Sequence, residues 1–163
     1  MKERILELLN NQIQKEFESA YAYLDLAVFF DSLSLPGFSN WYMAQAAEEE
    51  KHALRIYNYV FDSGEVVKLM PVSPLKEKPR SITAALSTAF NQEKEVTRLI
   101  QVIYRVCEQE EDYATKNFLE WFIAEQREEE TNARTMIEDF KTFGSSAEGL
   151  FVLNQKLMKR KIA

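Results

Sequence analysis

Four stretches of this chain, about residues 4–32, 38–63, 82–109 and 113–142, repeat their apolar residues every three to four positions. That period is the signature of an amphipathic α-helix, and these stretches are rich in the helix formers Ala, Leu, Glu, Gln and Lys. Each run exceeds about 25 residues, a length that suits a helical bundle and exceeds the shorter helices of α/β folds. The four glycines and four prolines of the chain are too few to punctuate a sheet protein. They gather where the periodicity fails: at Ser34-Leu35-Pro36-Gly37, at Gly64 followed by Pro71, Pro74 and Pro79, and at Gly144-Ser145-Ser146. A weaker break lies at Glu111 and Asp112, and a short tail helix is expected over about 147–159. The expected architecture is all-α, one domain over residues 1–163.

Loop lengths predict the topology. Short turns make the first and second helices antiparallel neighbours, and likewise the third and fourth. The middle connection, residues 65–81, could extend to roughly 55 Å at about 3.3 Å per residue. A helix of about 26 residues is only about 39 Å long. The connection can therefore cross the full length of the bundle and set the second and third helices parallel, giving an up-down-down-up order.

Read at steps of three and four, the inward stripes are Leu9, Ile13, Glu16, Ala20, Tyr23, Ala27; Phe38, Tyr42, Gln45, Glu49, His52, Ile56; Leu86, Phe90, Glu93, Thr97, Ile100, Tyr104; and Phe118, Phe122, Gln126, Glu129, Ala133, Met136. Each stripe is apolar except near its middle, where it carries one glutamate. Glu49 and Glu93 both lie about 11 residues into their helices, a rise of about 16 Å along parallel axes. Glu16 and Glu129 fall near the midpoints of theirs, so all four carboxylates meet in one layer with His52, the only histidine of the chain. Desolvating four carboxylates together is costly unless cations join them. A glutamate from each of two helices together with a Glu-x-x-His motif, here Glu49-Glu50-Lys51-His52, is a known way to build a two-metal site in a bundle.

The remaining composition narrows the partners. With 26 acidic against 20 basic residues, a net charge of −6 argues against nucleic acid, whose binding rests on many Lys and Arg contacts to phosphate. No apolar run approaches the length of a membrane span. The start MKERILELLNNQIQKE enters amphipathic helix directly and lacks a signal-peptide pattern, so a cytoplasmic protein is expected. The single Cys107 excludes a disulfide framework or paired CxxC metal site and reads as a buried core thiol.

At these residues the chain resembles the non-haem ferritins of bacteria. The strings that carry the likeness are QIQKEFESAYAYLDLA, AQAAEEEKHA, NQEKEV and FLEWFIAEQREEE, and the likeness spans the crossover and tail helix as well. It implies a two-iron centre with Glu16, Glu49 and His52 on one iron and Glu49, Glu93 and Glu129 on the other, Glu49 bridging. Gln126 would lie beside the second iron and Tyr23 would pack against the centre, within reach of a ligand carboxylate. Glu48, Glu125 and Glu128 look like the family's third iron site, sharing Glu129. The chain departs from the haem-binding relatives: Glu50 stands where their haem-ligating methionine would be, so no haem is expected, and the fourth helix has no second Glu-x-x-His. Lys116 and Leu119 replace the acidic pair that lines the three-fold channel of animal ferritins.

The activity the resemblance implies is oxidation of Fe(II) by O2 and storage of the ferric product as an oxyhydroxide mineral in a shell of 24 identical subunits. Trp41, Trp121, Phe29, Phe61 and Phe151 are expected to supply area for subunit contacts, and the tail helix to serve four-fold axes and not to fold back on its own bundle. Two other functions compete. A non-storage di-iron oxidoreductase subunit would need an organic-substrate cavity or a reductase partner, for which no extra segment exists. A metal-free structural bundle would leave the polar layer unexplained.

Overall fold

A computed structural model describes residues 1–162. Its elements are α1 (Glu3–Ser32), α2 (Pro36–Asp62), α3 (Ile82–Gln109), α4 (Tyr113–Phe143) and α5 (Ala147–Leu157). The breaks fall where the sequence placed them. Ser34 and Glu111 adopt left-handed backbone (φ 56° and 58°) to close the two tight turns, and Gly64 at φ 78° lets the chain leave α2 without strain. Pro36 opens α2, where a missing N–H costs nothing. The side chains of Ser81, Asp112 and Ser146 accept hydrogen bonds from Ala84, Thr115 and Gly149 and so cap α3, α4 and α5.

The long connection climbs α1 by discrete contacts. The Lys68 N–H donates to Asn10 Oδ1 (2.9 Å), Gln14 Nε2 to the Pro71 carbonyl (2.6 Å), and the Leu75 N–H to Asp25 Oδ2 (2.9 Å). Asn10 and Asp25 are about 22 Å apart along the helix at 1.5 Å per residue. The crossover thus returns the chain to the far end of the bundle, and α3 starts there parallel to α2.

Apolar packing divides into two cores. One joins Ile5, Leu9 and Ile13 of α1 to Ile56, Val60, Ile100, Ile103, Leu119 and Phe122; the other joins Leu26 and Phe30 to Phe38, Tyr42, Leu86, Ala89, Met136 and α5 residues Leu153 and Leu157. The polar layer lies between them. In α3 the inward face is turned slightly from the expected stripe: Ala89, Val96 and Ile103 are buried, whereas Phe90, Thr97 and Tyr104 sit at the rim. Leu119 is wholly buried in the first core, so it cannot line a channel, and Lys116 is tied to Glu108 at 2.8 Å. Cys107 is buried, as expected.

One surface expectation needs correction. The tail helix does fold onto its own bundle. Asn154 Oδ1 accepts from the Gly37 N–H at 2.7 Å, and Asn40 Nδ2 donates to the Leu157 and Arg160 carbonyls at 3.2 and 2.8 Å. The two helices approach so closely that a Cβ on Gly37 would lie 1.8 Å from the Asn154 carbonyl oxygen. The outer face of α5 still presents Phe151 and Val152 to solvent. Phe61 is likewise exposed, but Trp41, Trp121 and Phe29 are half-buried against their own chain. Among the described residues no helix is long and apolar enough to cross a membrane.

Candidate metal centre

All four layer glutamates are removed from solvent: Glu16 and Glu49 at 0 %, Glu93 at 1 % and Glu129 at 3 % exposure, with His52 at 4 %. The helical period explains this, since each occupies the inward turn between two apolar ones. One donor atom each from Glu16, Glu49 and His52 lies within 4.8 Å of the others, and a second such group joins His52, Glu125 and Glu129. His52 Nδ1 lies 3.4 Å from Glu49 and its Nε2 3.8 Å from Glu125. The imidazole is wedged edge-on against Trp121 and Phe122, at 5.4 and 6.1 Å between ring centres.

Glu93 completes the opposite side. Tyr23 donates its hydroxyl hydrogen to Glu93 Oε1, and Gln126 Nε2 donates to Glu93 Oε2 at 3.1 Å. Gln126 also reaches the Glu93 carbonyl and Thr97 Oγ1, at 3.2 and 3.3 Å. Tyr23 is stacked on Tyr42, ring centres 5.6 Å apart. Every predicted inner residue is therefore in one layer.

The outer carboxylates are arranged differently from one another. Glu125, half-buried, is drawn to His52 and Glu129. Glu48 is bonded to Arg160 Nη2 at 2.7 Å, and Glu128 is exposed. Both are near enough that their negative charge helps raise the Glu125 pKa, after burial and against the pull of His52.

Two further residues hold the layer. Gln12 Nε2 donates to Glu16 Oε1 at 2.8 Å, and Gln45 Nε2 donates to Glu129 Oε2 at 2.9 Å. Gln12 stands one helical turn before Glu16, a spacing that would have revealed it. The Gln45 bond joins different helices and left no local signal.

The electrostatics are those of a site built for cations. Among the described residues no lysine or arginine pairs with Glu16, Glu49, Glu93 or Glu129. Burial, then repulsion from Glu93 and Glu16, holds the Glu49 carboxyl well above its ordinary range. Burial lifts Glu93 to about 7 despite hydrogen bonds from Tyr23 and Gln126. It lifts Glu129 to about 8, helped by Glu93 and opposed by Gln45. Burial followed by these carboxylates keeps the Tyr23 phenol protonated and available as a donor. Both oxygens of Glu49, Oε2 of Glu16, Nδ1 of His52 and Oε1 of Gln126 have no hydrogen-bond partner. Buried polar atoms are rarely left so. Several unpaired carboxylate oxygens with one imidazole form a hard donor set that suits Fe(II) and Fe(III) better than a soft metal.

Fold and site together define a ferritin-like four-helix bundle with a carboxylate-rich metal centre. The Ferritin family model, described as a ferritin-like domain, matches residues 6–143. The bacterial non-heme ferritin of Staphylococcus haemolyticus (strain JCSC1435) is 35% identical over 156 residues, covering 96% of this chain and 94% of that protein. The one from Staphylococcus aureus (strain USA300) is 36% identical over 160 residues, 98% and 96% of the two chains. An open-pore ferritin of the hyperthermophilic archaeon Archaeoglobus fulgidus superposes with a TM-score of 0.95 at 40% identity, covering 99% of each chain. A form of that ferritin engineered to be closed gives 0.96 at 40% identity, over 100% of this chain and 99% of its own. This chain belongs to the bacterial non-heme ferritin family.

Proposed function

We propose that this chain is an iron-storage ferroxidase. It takes two Fe(II) ions as substrate, one on Glu16, Glu49 and His52 and one on Glu49, Glu93 and Glu129. It passes an electron from each to O2 and deposits the ferric product as mineral inside a shell of 24 copies. The observation that carries the reading is Glu49: fully buried, both oxygens unpartnered, and close enough to Glu16, Glu93 and Glu129 for each to raise its pKa. A carboxylate so placed is suited to bridge two cations.

The chain's own groups divide the work. Protons on Glu93 and Glu129 are exchanged for Fe(II) as it binds, because metal ligation needs the ionised carboxylate. Tyr23 and Gln126 fix the direction of Glu93, and Gln12 and Gln45 do the same for Glu16 and Glu129. The small space bordered by Tyr23, Gln45 and Glu129 is about 10 Å³, room for about one water molecule. Glu125, with Glu48 and Glu128 beside it, would offer an outer iron position on the way out. Exposed apolar residues support burial between copies: Phe61 at 68 %, Val66 at 82 % and Leu69 at 66 %. A cytoplasmic location fits this activity.

Rapid mixing tests the reading. Anaerobic protein given Fe(II) and then O2 is expected to oxidise two Fe(II) per subunit in a fast phase and to continue to many per subunit. Glu49→Ala should abolish the fast phase, and an unchanged fast phase ends the assignment. Light scattering on the eluting peak should give 24 copies of the 19.0 kDa chain, about 456 kDa for a closed assembly.

A further inference from the structure

Arg160 lies beyond the last helix, yet its guanidinium is among the most firmly held charges on the molecule. Its Cζ lies 4.1 Å over the Trp41 ring, its Nη1 donates to the Trp41 carbonyl at 3.3 Å, and its own carbonyl accepts from Asn40 at 2.8 Å. Its Nη2 donates to Glu48 Oε2 at 2.7 Å. The Trp41 ring and carbonyl hold the guanidinium beside Glu48, and the Glu48 bond is the one charge-assisted contact of the three. Glu48 is one residue before Glu49, and its charge is felt at both Glu125 and Glu129. Among the described residues Arg160 is the only lysine or arginine within ion-pair distance of Glu48, Glu125 or Glu128, and the Arg55 charge reaches Glu125 from farther off.

We propose that Arg160 is a positioning residue that competes with metal for Glu48 and so holds the outer position of Glu48, Glu125 and Glu128 at low affinity. The inference rests on the outer iron position proposed above. A cation binding there must take Glu48 from Arg160. By reciprocity, the docked C-terminal tail weakens the outer position, and a metal in it loosens the tail. The paired inner position is affected less, since none of its ligands contacts Arg160 and only Glu129 among them feels the Glu48 charge. A site that holds iron only weakly passes it onward instead of keeping it, which is what transit to a mineral requires.

The test uses the assembled, metal-free protein and redox-inert Zn2+ as the probe, followed by titration calorimetry. Arg160→Gln should tighten the third Zn2+ per subunit about tenfold, the scale of a partly exposed charge-assisted bond. The two tight Zn2+ should change by less than about twofold. Arg160→Lys, which keeps the charge but not the planar fork, should fall between. In the unaltered protein, the third Zn2+ should speed amide exchange several-fold over residues 157–162, a readout that needs no variant to fold. A third site of equal affinity in Arg160→Gln, or a tail whose exchange ignores the third Zn2+, overturns the role of Arg160 and leaves the outer site standing. Only two Zn2+ in every form would instead remove the outer site and this inference with it.

Discussion

Replacing Glu49 with leucine is expected to stabilise the metal-free protein while destroying its response to metal. Glu49 is fully buried with neither oxygen hydrogen-bonded, and such a group costs about 1–3 kcal/mol. Leucine has a similar volume and would join the apolar turns on either side. For a chain of this size each kcal/mol moves Tm by about 2–4 °C, so a rise of roughly 2–12 °C is expected. The gain should be larger at pH 8 than at pH 6, because the raised Glu49 carboxyl becomes harder to keep protonated as pH rises. Urea unfolding followed by circular dichroism, with assembly checked by light scattering, measures it. Zn2+ at 100 times its dissociation constant should stabilise the unaltered protein by about 2.7 kcal/mol and the variant by much less. A variant less stable than the parent without metal, or equally stabilised by Zn2+, would refute the reasoning.

The pH dependence of the metal-free protein has a definite sign. Glu93 and Glu129 hold their protons to about 7 and about 8, above the unfolded carboxyl value of about 4.3, so stability should be greatest below that value and fall as pH rises through 7 and 8. Denaturant midpoints at pH 6 and 8.5 with chelator should show the fall, and Zn2+ should reverse it. Tyr23→Phe removes the hydrogen bond to Glu93 but keeps the ring stack, so Glu93 should become harder to ionise and the second metal weaken several-fold at pH 6.5, measurable by calorimetry. Gly37→Ala places a methyl 1.8 Å from the Asn154 carbonyl oxygen and should undock α5, seen as at least several-fold faster proteolysis within residues 145–160. Burial and then the nearby Asp112 push the Cys107 thiol up to about 11, so a disulfide reagent at pH 8 should label it only when denaturant is added.

The helices, their direction and the carboxylate layer were legible because each depends on local period and reach. A stripe with a 3.6-residue repeat has to turn one face inward, so Glu16, Glu49, Glu93 and Glu129 were bound for the core before any partner was known. The crossover could be read because its length exceeds that of a helix. What lay outside the sequence was every contact between residues far apart in the chain. Gln45 meets Glu129, Asn154 caps the start of α2, and Arg160 takes hold of Glu48. The rotation of α3 that buries Val96 and leaves Thr97 at the rim belongs to the same class. Helical period sets which face of a helix is apolar, but the packing of neighbouring side chains decides its final turn by a fraction of a residue. Trp41 and Trp121 looked available for other subunits because their positions flank the stripes. Only the tertiary structure seats guanidinium groups on them, Arg160 on one and Arg55 on the other, since a cation and a ring that meet across the bundle share no period in the sequence.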